Sequence, residues 1–121
     1  MANILVVDDD LDIVELVKSM LAPRHHVVGA TDSASALETL KQEDIQLLIT
    51  DVRMPNVNGF ILINQAKKLK PGLIVIIISA YYDENDEIAR QVVKRYADIA
   101  LSKPLRSQTV NEVVDSVLNV A

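Results

Sequence analysis

Two rhythms alternate along the chain: short runs of consecutive apolar residues, and longer stretches in which apolar residues recur every three or four positions. Ile4-Leu5-Val6-Val7 is wholly apolar and ends in Asp8-Asp9-Asp10. Such a run predicts a strand buried on both faces. Ile13, Leu16, Val17, Met20 and Leu21 then recur at helical spacing, and Pro23 stops that helix. His26 to Ala30 predicts a second, weaker strand. Asp32 or Ser33 then caps a helix carrying Ala36, Leu37 and Leu40. Leu47 to Thr50 predicts a third strand with Asp51 at its end, and Pro55 and Gly59 punctuate the loop beyond it. Phe60 to Lys70 reads as a helix with Phe60, Ile63, Ala66 and Leu69 inward, ended by Pro71-Gly72.

The strongest strand is Leu73 to Ile78, which ends in Ser79. The acidic stretch from Asp83 to Glu87 opens a fourth helix, since carboxylates favour a helix N-terminus. Its apolar face, made of Ile88, Ala89, Val92 and Val93, is the poorest in the chain. Ile99 to Leu101 is a short last strand before Ser102-Lys103-Pro104. Val110, Val113, Val114, Val117 and Leu118 mark the final helix, with Thr109 and Glu112 spaced for a capping box. Strand and helix thus alternate five times. This pattern predicts an α/β fold with a parallel sheet, right-handed crossovers and helices on both faces.

Composition narrows the class. The chain has 121 residues, half of them apolar and 24% charged, which predicts one globular domain over 1–121. Cysteine is absent, so disulfides and thiolate metal sites are excluded. A net charge of −5 without a dense Lys/Arg cluster argues against direct nucleic-acid binding. No apolar run approaches the ~20 residues needed to cross a bilayer. The start of the chain lacks a signal-peptide pattern, so a cytoplasmic setting without a membrane partner is expected.

Ligands of open α/β sheets bind outside the carboxyl ends of the strands. Here those ends carry Asp8, Asp9 and Asp10, then Asp51, Ser79 and Lys103. Two carboxylates ~4 Å apart repel by roughly 4 kcal/mol at an effective dielectric of ~20, so a cation is the natural remedy. Carboxylates, a backbone carbonyl and waters suit Mg²⁺. Phosphoryl transfer needs positioning and charge neutralisation above all. Asp51 would supply the attacking oxygen, while the metal, Lys103 and the Ser79 hydroxyl stabilise the transferred group. A carboxylate is already ionised at neutral pH and needs no general base.

With these motifs in place, the chain resembles the receiver domain of two-component response regulators. The matching segments are Ile4-Leu5-Val6-Val7-Asp8-Asp9, Asp51 with Met54-Pro55 and Gly59, Ser79-Ala80, and Lys103-Pro104. The resemblance implies a flavodoxin-like (βα)5 doubly wound five-stranded parallel sheet in strand order 2-1-3-4-5. It implies that Asp51 takes a phosphoryl group from a phosphohistidine of a sensor histidine kinase or histidine phosphotransfer protein. It assigns Mg²⁺ (or Mn²⁺) to Asp8, Asp9, Asp51 and the backbone carbonyl of Arg53, with Ser79 as the switch hydroxyl and Lys103 as the phosphate-pairing lysine. Pro104 matches a proline whose preceding peptide bond is typically cis. The family signals through its fourth helix, fifth strand and fifth helix to an output domain or target protein that is not in this chain, and homodimers through the fourth and fifth helices are common in it. Such a domain promotes its own aspartyl phosphorylation and dephosphorylation only, and is not a turnover enzyme.

Three positions depart from the family pattern. Ala100 stands where Tyr or Phe is usual, Tyr96 where glycine is common, and Leu105 where Phe is usual. The segment from Ser79 to Tyr96 is slightly long, and its tyrosines, Tyr81, Tyr82 and Tyr96, are candidates to transmit the signal instead. A rival reading takes Asp8-x-Asp10 as nucleophile and general acid of a haloacid-dehalogenase-type phosphatase, which leaves Asp51 idle. Another is a phosphorylation-independent pseudo-receiver used for docking. Met54 reads as loop packing, and His25 and His26 as surface residues beside the second strand.

Overall fold

The computed structural model describes residues 2–54, 57–80 and 85–118. In chain order the elements are β1 (Asn3–Val7), α1 (Leu11–Leu21), β2 (His26–Ala30), α2 (Ser33–Gln42), β3 (Leu47–Asp51), β4 (Arg53–Met54), β5 (Val57–Asn58), α3 (Gly59–Leu69), β6 (Ile74–Ser79), α4 (Glu87–Tyr96), β7 (Ile99–Ser102) and α5 (Ser107–Val117). The main sheet runs β2-β1-β3-β6-β7, and every pairing in it is parallel. Numbered within that sheet alone, the order is 2-1-3-4-5, the flavodoxin-like arrangement. The loop expected after Asp51 instead holds a two-stranded antiparallel ribbon, β4 with β5.

The continuous apolar runs form central strands because a parallel sheet covered on both faces has no polar side. Alternate residues serve two separate cores. Leu5, Val7, Leu48, Val75 and Ile77 pack with Ala36 and Leu40 of α2, Leu62, Ile63 and Ala66 of α3, and Ala97 after α4. Ile4, Val6, Leu47, Ile49, Ile76 and Ile78 pack on the other face with Val17 and Leu21 of α1 and Val110 and Val114 of α5. Full burial of each large side chain is worth about 1.5–3 kcal/mol.

Three aspartates start helices by accepting backbone N–H bonds: Asp10 from Asp12, Asp32 from Ser35, and Asp86 from Ile88 and Ala89. The capping box expected at Thr109 and Glu112 does not start α5. Its cap position is Arg106, without a side-chain cap bond, because the helix begins earlier, at Ser107.

Other expectations are corrected by packing. Leu69 is 44% exposed, and Leu62 takes the inward place beside Ile63 and Ala66. On α4, Ile88 is 75% exposed and Val92 is exposed, so only Ala89, Val93 and Tyr96 are half-buried. His25 is buried rather than superficial, and its Nδ1 accepts the Ala2 N–H at 3.1 Å. His26 is exposed, as expected. Pro55, Tyr81, Tyr82, Asp83 and Glu84 lie outside the described residues. Among the described residues, no helix is long and apolar enough to cross a membrane.

Candidate functional site

Strand pairing delivers the acids to one edge. Asp8 follows β1 directly, and its N–H donates to Ala30 O at 3.2 Å, prolonging the β1–β2 ladder by one residue. This carries Asp8 below the surface, where it is fully buried. Its Oδ1 accepts the Asp10 N–H at 2.9 Å, so the turn into α1 fixes the carboxylate. Asp9 between them is exposed. Asp51 ends β3 opposite Ile78 of β6 and is only 6% exposed. The Thr50 hydroxyl donates to Asp51 O at 2.9 Å, which satisfies a polar side chain inside an apolar strand.

Lys103 arrives from the last strand. Ser79 pairs with Ser102, and the Lys103 N–H donates to Ser79 O at 2.9 Å. The Lys103–Pro104 peptide bond is cis. The Lys103 ammonium then donates to Asp8 Oδ2 at 2.9 Å and to Asp51 Oδ2 at 2.8 Å. One lysine, from a strand at the edge of the sheet, thereby bridges two acids that are 43 residues apart in the chain.

Burial disfavours a charged carboxylate, and it raises the Asp8 pKa above its usual 3.8 despite the Asp10 N–H and the Lys103 ammonium, which act the other way. For Lys103 burial acts to lower the pKa, but hydrogen bonds to Asp51 and Asp8 and their charges together raise it above 10.5. Lysine is therefore charged at any physiological pH. Asp8, Asp9 and Asp51 each offer one carboxylate oxygen, and these three atoms lie within 4.8 Å of one another. Three hard oxygen donors at that separation suit a small divalent cation.

The structure thus brings together Asp8, Asp9, Asp51 and Lys103. Ser79 is buried at the same edge, joined to Lys103 through its carbonyl. Arg53 follows Asp51 by two residues, in β4. Ala100 lies inside β7 opposite Ile77, half-buried against the core under α2, α3 and α4. Thr50 and Gly59 carry roles that sequence reading missed. A Cβ on Gly59 would stand 2.5 Å from Val52 Cα and 2.7 Å from Asp51 O, so the start of α3 lies directly against the Asp51–Val52 backbone. A polar residue in an apolar run was the available signal for Thr50. A cavity of about 620 Å³ lies elsewhere, at the opposite edge of the sheet beside Ala2, Gln46 and Ile74, and takes no part in this arrangement.

A doubly wound sheet with an acidic cluster and one bridging lysine at its carboxyl edge defines a class of signalling module. The chain belongs to the response regulator receiver domain family, whose family model matches residues 4–115. It is 38% identical over 120 residues to the DNA-binding transcriptional regulator NtrC of Azospirillum brasilense, covering 98% of this chain and 24% of that protein. It is 30% identical over 118 residues to the transcriptional regulatory protein GlrR of Escherichia coli, covering 97% of this chain and 26% of GlrR. The chain therefore spans about a quarter of the length of these relatives. Among solved structures, the receiver domain of NtrX from Brucella abortus superposes with a TM-score of 0.85 at 30% identity, covering 98% of this chain and 99% of that one. A CheY-like receiver domain protein from Methanospirillum hungatei gives 0.86 at 26% identity, covering 98% and 94%.

Proposed function

We propose that residues 1–121 form one phosphoacceptor domain of a two-component phosphorelay, in which Asp51 accepts a phosphoryl group. The donor is a phosphohistidine of a sensor histidine kinase or histidine phosphotransfer protein. An Asp51 carboxylate oxygen forms the new O–P bond as the P–N bond to the imidazole breaks. The departing ring nitrogen keeps the electron pair and takes a proton from solvent. Lys103 and the Ser79 hydroxyl are assigned to the phosphoryl oxygens. Asp8, Asp9, Asp51 and the Arg53 carbonyl are assigned to Mg²⁺ (or Mn²⁺), in keeping with the spacing of the three carboxylates. When bound, the ion supplies positive charge that offsets carboxylate and phosphoryl repulsion.

The observation that carries this reading is the Lys103 ammonium held by both Asp8 and Asp51. Asp8 is fully buried with Oδ1 on the Asp10 N–H and Oδ2 on Lys103, which disfavours the phosphatase reading. Phosphorylation then shifts a conformational equilibrium at the α4–β7–α5 face toward a form read by an output domain or target protein outside this chain. Moving such an equilibrium from 1:99 to 99:1 takes about 5.5 kcal/mol of differential stabilisation. The setting is cytoplasmic, without direct nucleic-acid or membrane contact by this domain. Homodimerisation through α4 and α5 is the assembly to test.

The experiment is incubation with acetyl phosphate, with and without Mg²⁺, read by intact mass and by mapping of the modified residue. A Mg²⁺-dependent gain of one phosphoryl group on Asp51, absent in Asp51→Asn, is expected. Modification at Asp8 would establish the phosphatase reading. Mg²⁺ binding without any modification would establish a docking pseudo-receiver.

A further inference from the structure

Helix α4 is held differently from the other helices. Among its described residues none is buried, whereas α1, α2, α3 and α5 each bury at least two. Among the described residues, the C-terminal end of α4 is tied directly to the core and to the sheet. Ala97 is buried, and its N–H donates to Val93 O at 2.7 Å. Asp98 then clasps the start of β6: the Asp98 N–H donates to Val75 O, and Asp98 Oδ2 accepts the Val75 N–H, both at 2.9 Å. A helix fixed at one end and lightly packed along its length moves most easily as a lever about that end.

At that pivot stands Tyr96. Its ring lies 4.8 Å from the Phe60 ring, centroid to centroid, with the planes tilted by 50°. The Arg95 guanidinium lies 5.7 Å from the centre of the Tyr96 ring. Phe60 is the second residue of α3, next to Gly59, and Gly59 touches the backbone of Asp51 and Val52 too closely to admit a Cβ. The contacts are therefore continuous from the Asp51 peptide through Gly59 and Phe60 to Tyr96 and the pivot of α4. Tilted aromatic pairs at this separation attract each other beyond their area burial, enough to bias a two-state helix severalfold.

We propose that the Phe60–Tyr96 ring pair couples the state of Asp51 to the position of α4, with Tyr96 acting as a positioning residue and α3 as the intermediate element. The proposal rests on Asp51 being the phosphoacceptor, and it adds a route through α3 that belongs to this chain's own residues. The coupling is assigned to the ring contact, so Tyr96→Phe, which keeps the ring, is the conservative replacement.

The test uses the whole chain with Mg²⁺ and beryllofluoride as the phosphoryl mimic, followed by backbone amide NMR. Amides of Val52 and Lys103 report the site, and those of Arg90 to Lys94 report α4. Tyr96→Leu and, from the other side, Phe60→Leu are expected to keep the site response while reducing the α4 shifts at saturation by at least half. Tyr96→Phe is expected to behave as the unmodified protein. A purely structural role would alter the free-state spectrum and leave the mimic-induced shifts intact. Undiminished α4 shifts in either folded leucine variant overturn the proposal while leaving Asp51 as acceptor. No response at Val52 and Lys103 in the unmodified protein overturns the acceptor assignment and the coupling with it.

Discussion

Replacing Lys103 by methionine removes the cation between Asp8 and Asp51 while keeping an unbranched side chain. At 2.8 and 2.9 Å, each ion pair is worth about 6 kcal/mol of attraction at an effective dielectric of ~20, most of which offsets desolvation. Without the ammonium, Asp8 and Asp51 face each other buried and alike in charge. Removing one partner from a buried pair costs about 3–5 kcal/mol, and because the Lys103 side chain is 20% exposed the lower figure applies, about 3 kcal/mol at pH 7. Lys103 has a raised folded pKa, so its stabilisation is complete below 10.5 and lost as pH rises through the folded value. Asp8 also has a raised folded pKa, so its contribution is complete below 3.8 and lost as pH rises through that higher value, leaving a buried charge that Lys103 must offset. The deficit of Lys103→Met should therefore be small in acid, grow through the carboxylate range and stay level to neutral pH. Urea unfolding in EDTA at several pH values measures it. A deficit under about 1 kcal/mol at pH 7, or one independent of pH, would refute the reasoning.

Gly59→Ala places a Cβ against backbone that has no side chain to give way, and should destabilise by up to about 3 kcal/mol in the same unfolding assay. Asp86→Ala removes the acceptor for the Ile88 and Ala89 N–H groups; a loss of about 1 kcal/mol is expected, with faster amide exchange at the start of α4. Burial, with Arg24 nearby, lowers the His25 pKa below 6.5, so its contribution is present above 6.5 and lost as pH falls through the folded value. His25→Leu should flatten the melting temperature between neutral pH and pH 5, and an unchanged slope would count against burial as the cause. Mg²⁺ titration should raise the melting temperature of the unmodified protein and do so less in Asp9→Asn, since only a native-state ligand set contributes by mass action.

Much of the fold was legible because strands buried on both faces leave no polar position to blur the pattern. Ile4 to Val7, Leu47 to Ile49 and Leu73 to Ile78 are of this kind, and each lies in or next to a strand of the main sheet. The amphipathic elements were harder. Leu69 and Ile88 have helical spacing, yet spacing cannot say where a neighbouring helix stops, and both end exposed. The α5 start misled because Thr109 and Glu112 fit a local capping pattern, while the helix begins at Ser107 after the extended Arg106, without any side-chain cap. At the site, residue types at strand ends were readable one by one. Their convergence depends on the order of strands, which puts β1 beside β3 and brings β7 to the same edge. His25 was misread since a histidine just before a strand carries no mark of what covers it; the Ala2 backbone does.

The main sheet also acts as a partition. Side chains of α1 and α5 meet one side of it, those of α2, α3 and α4 the other, and the two apolar clusters share strands but no residue. A substitution in one layer is thus felt in the other only through strand backbone, which is stiffened by pairing on both flanks at β1, β3 and β6. The layers can accordingly diverge at separate rates, with the acids at the strand ends as the place where a change in one must be reconciled with the other.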